Sequence, residues 1–289
     1  MKILFALFFI LVFEVQTYAS ELTIGLIPEQ NVFKQRERYK PLGEYITKKT
    51  GIKIKFTVLS RYGNIIDRFV SEKMDGAFFG SFTGALAIKK LGVDFIARPV
   101  NLDGSSTYYG YIFVRNDSGI ANVKDMKSKK IVFVDKATTA GYIYPIAYFK
   151  DQGVDNIEGY FKELYFAGSH DAAINAVLEK KADIGCAKHS MFDRVAKKNP
   201  AIQKELKILA TSPHVPSNGL GLRKNIDADT KKKIKDALIN MSSDAEGIQV
   251  LKKFEAIKFI TTSKEDYAAV FDFAKKAGID IANYKFVNK

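Results

Sequence analysis

One cysteine, Cys186, and no tryptophan occur in 289 residues. A single cysteine cannot pair within the chain, so no disulfide framework holds this fold, and within ADIGCA it reads as a buried, inert thiol. With only three histidines, at 170, 189 and 214, it also makes a poor ligand set for a metal, and none is expected. The GxSxG elbow, the HExxH pair and the P-loop are all missing, which removes the usual sequence grounds for a hydrolase, a zinc protease or an NTPase. His170 beside Asp171 does not replace them, because adjacent helical residues project in different directions. No cofactor is expected either. Zinc-finger and RNP-type motifs are also missing, so nucleic acid is not an expected partner.

Long apolar runs are scarce too. The longest, Ile3 to Phe13, follows Lys2 and is soon interrupted by Glu14, so it is too short for a membrane span. Ala19 and Ser20 then precede Glu21, which is the pattern of a secretory signal peptide over residues 1–20, with a retained anchor as the alternative. Having no cysteine, the cleavage region cannot be lipidated. A periplasmic location is expected. Export without disulfides is ordinary for a chain that is 47% hydrophobic and 27% charged, since it can bury a large core.

The excess charge is +13, and it persists after residue 20 because Lys2 and Glu14 cancel. Its lysines come as scattered pairs, such as 48–49, 129–130 and 275–276, many near expected helix ends where cations suit the macrodipole. This is a solvated surface rather than a binding face, though it raises the encounter rate with a small anion.

Short β-rich runs alternate with amphipathic stretches: LTIGLI (22–27), IKIKFTVL (52–59), DGAFFG (75–80) and VDFIARPV (93–100), each of the first three followed by a helical pattern. This predicts an α/β fold with parallel strands and helical crossovers. The pattern restarts with KIVFV (130–134), a helix from about 140, LYFAG (164–168), HDAAINAVLEKK (170–181), ADIGCA (182–187) and ELKILATS (205–212). Two units therefore follow, with 21–112 and 213–289 forming a discontinuous first lobe and 113–212 the second. Two chain crossings suit lobes that close over a cleft.

Ligands of open α/β sheets sit at the carboxyl ends of strands, against helix starts. VDKATTAGYIYP (134–145) is such a place: if Thr138 or Thr139 caps the helix, the N–H groups of Ala140, Gly141 and Tyr142 lack intrahelical partners and favour an anion. Gly141 would let that anion approach the backbone. In AGSHDAAINAV, Ser169 or His170 begins another helix, and His170 either donates to an oxyanion or caps its own helix.

Several motifs together resemble the solute-binding proteins of phosphonate, phosphate and phosphite ABC transporters, a PhnD-like family with the two-lobed type II periplasmic binding fold. RYGNII carries Tyr62, and DGSSTYYGYIFV carries Tyr108, with Tyr109 and Tyr111 as rivals. DKATTAG matches the family's DPxSTSG, GSHDAAINAV matches GSHxxxxxAV, and SPHVPSNG matches SPxIPxxP. The resemblance implies that Tyr62, Tyr108, Thr138, Thr139, Ala140, His170 and Asn218 ring a small oxyanion, and that a monomer passes it to a membrane permease. Departures bear on the ligand. Ala140 replaces a serine, Ser190 stands where aminoalkylphosphonate binders place a glutamate, and Asn218 where they often have aspartate, which points away from an aminated ligand. A membrane sensor as partner and an enzyme on the same fold are the competing expectations.

Overall fold

The computed structural model describes residues 20–284, so residues 1–19 of the expected signal peptide lie outside it. The chain runs β1 (Glu21–Leu26), α1 (Val32–Thr50), β2 (Lys53–Val58), α2 (Asn64–Ser71), β3 (Gly76–Phe79), α3 (Ser81–Leu91) and β4 (Asp94–Asn101). A short strand β5 (Thr107–Tyr108) leads into β6 (Gly110–Arg115), β7 (Lys130–Phe133), a π turn (Thr139–Ile143), α4 (Tyr144–Asp151), α5 (Ile157–Tyr160) and β8 (Glu163–Phe166). Then follow α6 (His170–Leu178), β9 (Ile184–Lys188), α7 (His189–Lys198), α8 (Ala201–Glu205) and β10 (Leu206–Thr211). The return is β11 (Val215–Pro216), β12 (Gly219–Leu222), α9 (Ala228–Ile239), α10 (Ala245–Phe254), β13 (Ala256–Thr261) and α11 (Ala268–Lys276).

Local chemistry sets these limits. Asn31 caps α1 by accepting the Phe33 N–H, and Gly51, at φ 71°, ends it in the left-handed region that favours glycine. Tyr39, Leu42, Tyr45 and Ile46 keep helical spacing and are buried, so one face of α1 packs on the sheet. Tyr39 meets Phe78 of β3 edge-on at 5.3 Å. Every residue of β3 is buried, as a central strand requires.

The strands form two sheets, β13-β4-β12-β3-β1-β2 and β10-β6-β9-β7-β8, with a ribbon of β5 and β11 between them. The α/β two-lobed architecture is the expected one, with two revisions. β1 pairs in parallel with β2 and β3, but the returning β12 inserts antiparallel between β3 and β4. The lobe boundary expected at 112/113 falls inside β6, whose pairing with β9 from Gly110 onward puts 110–112 in the second sheet. Both chain crossings pass the ribbon, where Tyr108 pairs Val215 and the Gly110 N–H donates to Ser212 Oγ at 2.7 Å. Among the described residues no helix is long and apolar enough to cross a membrane.

Candidate functional site

Three helix starts meet where the lobes face each other: α3 from the first lobe, and the Thr139 turn and α6 from the second. They enclose a small chamber with a cavity volume of about 10 Å³, far below the range of drug-sized pockets, so only a compact ligand suits it. All seven residues singled out from the sequence line it: Tyr62, Tyr108, Thr138, Thr139, Ala140, His170 and Asn218. Glu29, Ser81, Thr83 and Lys188 also line it and were not expected.

The Thr139 turn is built from β7. Asp135 accepts the Ala137 N–H on Oδ1 at 2.8 Å, and its carbonyl accepts both the N–H and the hydroxyl of Thr138, at 3.0 and 2.6 Å. The Thr138 hydroxyl proton is therefore used on the backbone and does not cap the helix. Ile143 N–H reaches back to the Thr138 carbonyl at 3.0 Å, opening the helix as a π turn whose first N–H groups have no intrahelical acceptor. Gly141 has a different reason from the expected one: a Cβ there would lie 2.5 Å from Val134 Cβ, so glycine lets the turn pack on its own strand. Thr139 Oγ1 sits beside the Tyr108 hydroxyl without a well-aligned hydrogen bond.

Ser169 caps α6, accepting the Ala172 N–H, which frees His170 from that role. The backbone N–H of Lys188 donates to His170 Nδ1 at 3.2 Å, so the neutral ring carries its proton on Nε2 as a donor. Burial pushes the His170 imidazole down to about 4, against the opposing pull of Glu29. The Tyr62 ring stands edge-on to it, 5.9 Å away, and its buried hydroxyl has no partner. Ser81 Oγ lies 2.7 Å from Tyr108 Oη and 2.8 Å from the Pro216 carbonyl. The carbonyl can only accept, so Ser81 donates to it and accepts from the Tyr108 phenol, whose proton an anion in the chamber would compete for. Alternation separates the three tyrosines: Tyr108 faces the chamber, while Tyr109 stacks on His189 at 3.9 Å and Tyr111 meets Phe192 at 5.5 Å.

Asn218 Oδ1 accepts from Lys188 Nζ at 3.2 Å, and Asn218 Nδ2 is a buried donor without a partner. Lys188, at the carboxyl end of β9, also pairs with Glu29 of the first lobe at 2.9 Å. Burial alone would raise the Glu29 carboxyl, but the Lys188 and Arg38 charges hold it at about 2. Further bonds join the lobes: Asn31 N–H to Asp171 at 3.2 Å, His170 N–H to the Glu29 carbonyl at 3.3 Å, and Arg194 to Glu255. The lobes are thus closed on the chamber. Ser190, placed by resemblance at an amine position, lies instead in a surface groove with Asp103, Asp193 and Glu255. It lies in the first turn of α7, beyond the end of β9 and outside the chamber.

Residues 24–267 match the family described as ABC transporter, phosphonate, periplasmic substrate-binding protein. The chain is 28% identical over 247 residues to the Escherichia coli phosphonates-binding periplasmic protein, covering 84% of this chain and 72% of that one. It is 28% identical over 186 residues to the phosphate-import protein PhnD of Mycolicibacterium smegmatis, covering 61% and 58%. Among solved structures, a binding protein component of an ABC phosphonate transporter from Pseudomonas aeruginosa superposes with a TM-score of 0.83 at 23% identity, covering 90% of this chain and 87% of that one. PhnD1 of Prochlorococcus marinus, solved in complex with methylphosphonate, gives 0.79 at 21% identity, covering 90% and 98%.

Proposed function

This chain belongs to the periplasmic substrate-binding proteins of phosphonate ABC transporters, and from that premise we propose that its closed chamber captures one small phosphorus oxyanion through Tyr62, Tyr108, Thr139, His170 and Asn218. It is a binding protein that hands its ligand to a membrane permease. The observation that carries the residue assignment is the convergence of three buried side-chain donors without partners, Tyr62 Oη, Thr139 Oγ1 and Asn218 Nδ2, in one enclosed space. A buried polar group left unpaired is costly, and an anion with several acceptor oxygens would pair all three. His170 Nε2–H and the N–H groups at the helix starts add donors of the same kind.

Isothermal titration of the protein from Ser20 onward against phosphate, phosphite, methylphosphonate, ethylphosphonate, 2-aminoethylphosphonate, sulfate and arsenate tests this reading. A phosphorus oxyanion should bind best. Preference for sulfate, or no binding by any of them, would overturn it.

The location has its own test. Mass spectrometry of the exported protein should give an N-terminus between Ala19 and Glu21, because small residues follow a short apolar run there. An intact Met1 on exported protein would mean that the segment is retained as an anchor.

A further inference from the structure

Three groups that recognise cations converge on the Lys188 ammonium. Its Nζ is 2.9 Å from Glu29 Oε1, 3.2 Å from Asn218 Oδ1 and 4.4 Å from the centre of the Tyr108 ring. A carboxylate, an amide oxygen and an aromatic face together form an ammonium site, and the protein fills it with its own side chain. Lys188 arises from the second lobe, whereas Glu29 and Asn218 belong to the first, so the site is complete only when the lobes close. Both members of the ion pair are buried and line the chamber that holds the anion donors. Arg38, 3.7 Å from the other Glu29 oxygen, does not line it, so within the chamber Lys188 is the partner of that carboxylate.

We propose that Lys188 is a specificity-determining residue, a tethered counter-ion occupying the place against Glu29 that a cationic substituent on the ligand would take. The site is thereby restricted to oxyanions without an amine. This rests on the oxyanion reading above, and it assigns the ligand class from a pair that the family motifs do not include. An aminated ligand would have to displace Lys188 or be buried as a second cation beside it, and a buried ammonium without an anionic partner is strongly disfavoured.

The test compares methylphosphonate and ethylphosphonate with their ω-amino counterparts by titration calorimetry. The unmodified protein should prefer the ligand without the amine in both pairs. Lys188→Ala empties the ammonium site while keeping Glu29, and should shift the preference toward the aminated ligand by about tenfold or more in at least one pair. Lys188→Ala with Glu29→Gln should lose that shift, and Lys188→Met, which keeps the space filled, should never acquire it.

An unmodified protein that prefers the aminated ligands overturns the proposal without recourse to any variant. So does a folded Lys188→Ala protein whose preference is unchanged. If Lys188→Ala fails to fold, Lys188→Ser replaces it with the same expected shift, and an unchanged preference there is equally fatal. If the unmodified protein binds no phosphorus oxyanion at all, the oxyanion reading falls first and this one with it. Binding of simple oxyanions with unchanged ratios in the variants removes only the role of Lys188.

Discussion

Tyr62→Phe and Thr139→Ala should each lower the affinity for the preferred oxyanion by about 10- to 150-fold while leaving the unliganded protein at least as stable. Hydrogen bonds to a charged partner contribute about 1.5–3 kcal/mol, which sets that range. The two effects should have different signs because neither hydroxyl has a hydrogen-bond partner in the closed chamber. Removing a buried, unpaired hydroxyl relieves a desolvation cost, whereas removing a paired one creates it. His170→Ala should lose affinity in the same range but also lose stability, since it leaves the Lys188 N–H without its acceptor. Calorimetry paired with thermal melts in the absence of ligand separates the two classes. Unchanged affinity in both Thr139→Ala and His170→Ala would place the anion elsewhere.

Helix starts made much of this chamber legible from the sequence. Thr139, Ala140 and His170 begin helical turns a few residues after a strand, and that local order is enough to place them at the carboxyl end of a sheet. Tyr62, Tyr108 and Asn218 were reached through family motifs, because nothing local tells a chamber tyrosine from the rest of the 14. Glu29 gives no local signal: it sits in the irregular segment after β1 and finds Lys188 at a sequence separation of 159. Lys188 did leave one. It ends an otherwise apolar strand, all of it buried, and a basic residue there has few structural uses other than a buried partner or a ligand. Among 45 basic residues, and with the strand taken to end at 187, that signal was lost.

The same balance of local and distant causes divides the fold. Strong alternation and helical spacing located the first seven elements, from β1 to β4, within a few residues. The antiparallel insertion of β12 was not legible, since only pairing partners far along the chain decide it. α10 and β13 were not among the expected elements. Gly247 weakens the helical pattern of α10, yet its reason is spatial: a Cβ there would meet the Met241 carbonyl oxygen at 2.3 Å, so glycine permits the tight turn between the helices. β13 is an edge strand with two exposed residues in succession, Ile257 and Lys258, which blurs its alternation. α7 has apolar residues at Met191, Phe192, Val195 and Ala196, a helical spacing that the sequence did display.

Stability of the closed protein should fall as the pH drops from about 6.5 to 4, and His170 should be a main cause. Its imidazole is held at about 4 by burial, with Glu29 and Asp171 favouring the charged form and Lys188 opposing it, while in the unfolded chain it titrates near the ordinary 6.5. Below 6.5 the unfolded chain therefore binds a proton that the folded protein resists. The stabilisation is complete above pH 6.5 and is lost as the pH falls toward 4, amounting to on the order of 3 kcal/mol. His189, also lowered by burial, acts in the same direction. Glu29, held at about 2, gives a separate loss below about pH 4.5. Urea unfolding at pH 7.5, 6.5, 5.5 and 4.5 should show the first slope, and His170→Gln should flatten much of it, because the amide oxygen can still accept the Lys188 N–H but does not titrate. An undiminished slope in that variant would clear His170 of the effect. Saturating oxyanion should protect the unmodified protein over the same range, since an anion against Nε2 favours the imidazolium that burial otherwise resists. The part of that protection that grows as the pH falls should vanish in His170→Gln, which ties the pH response to the ligand chamber rather than to acid denaturation in general.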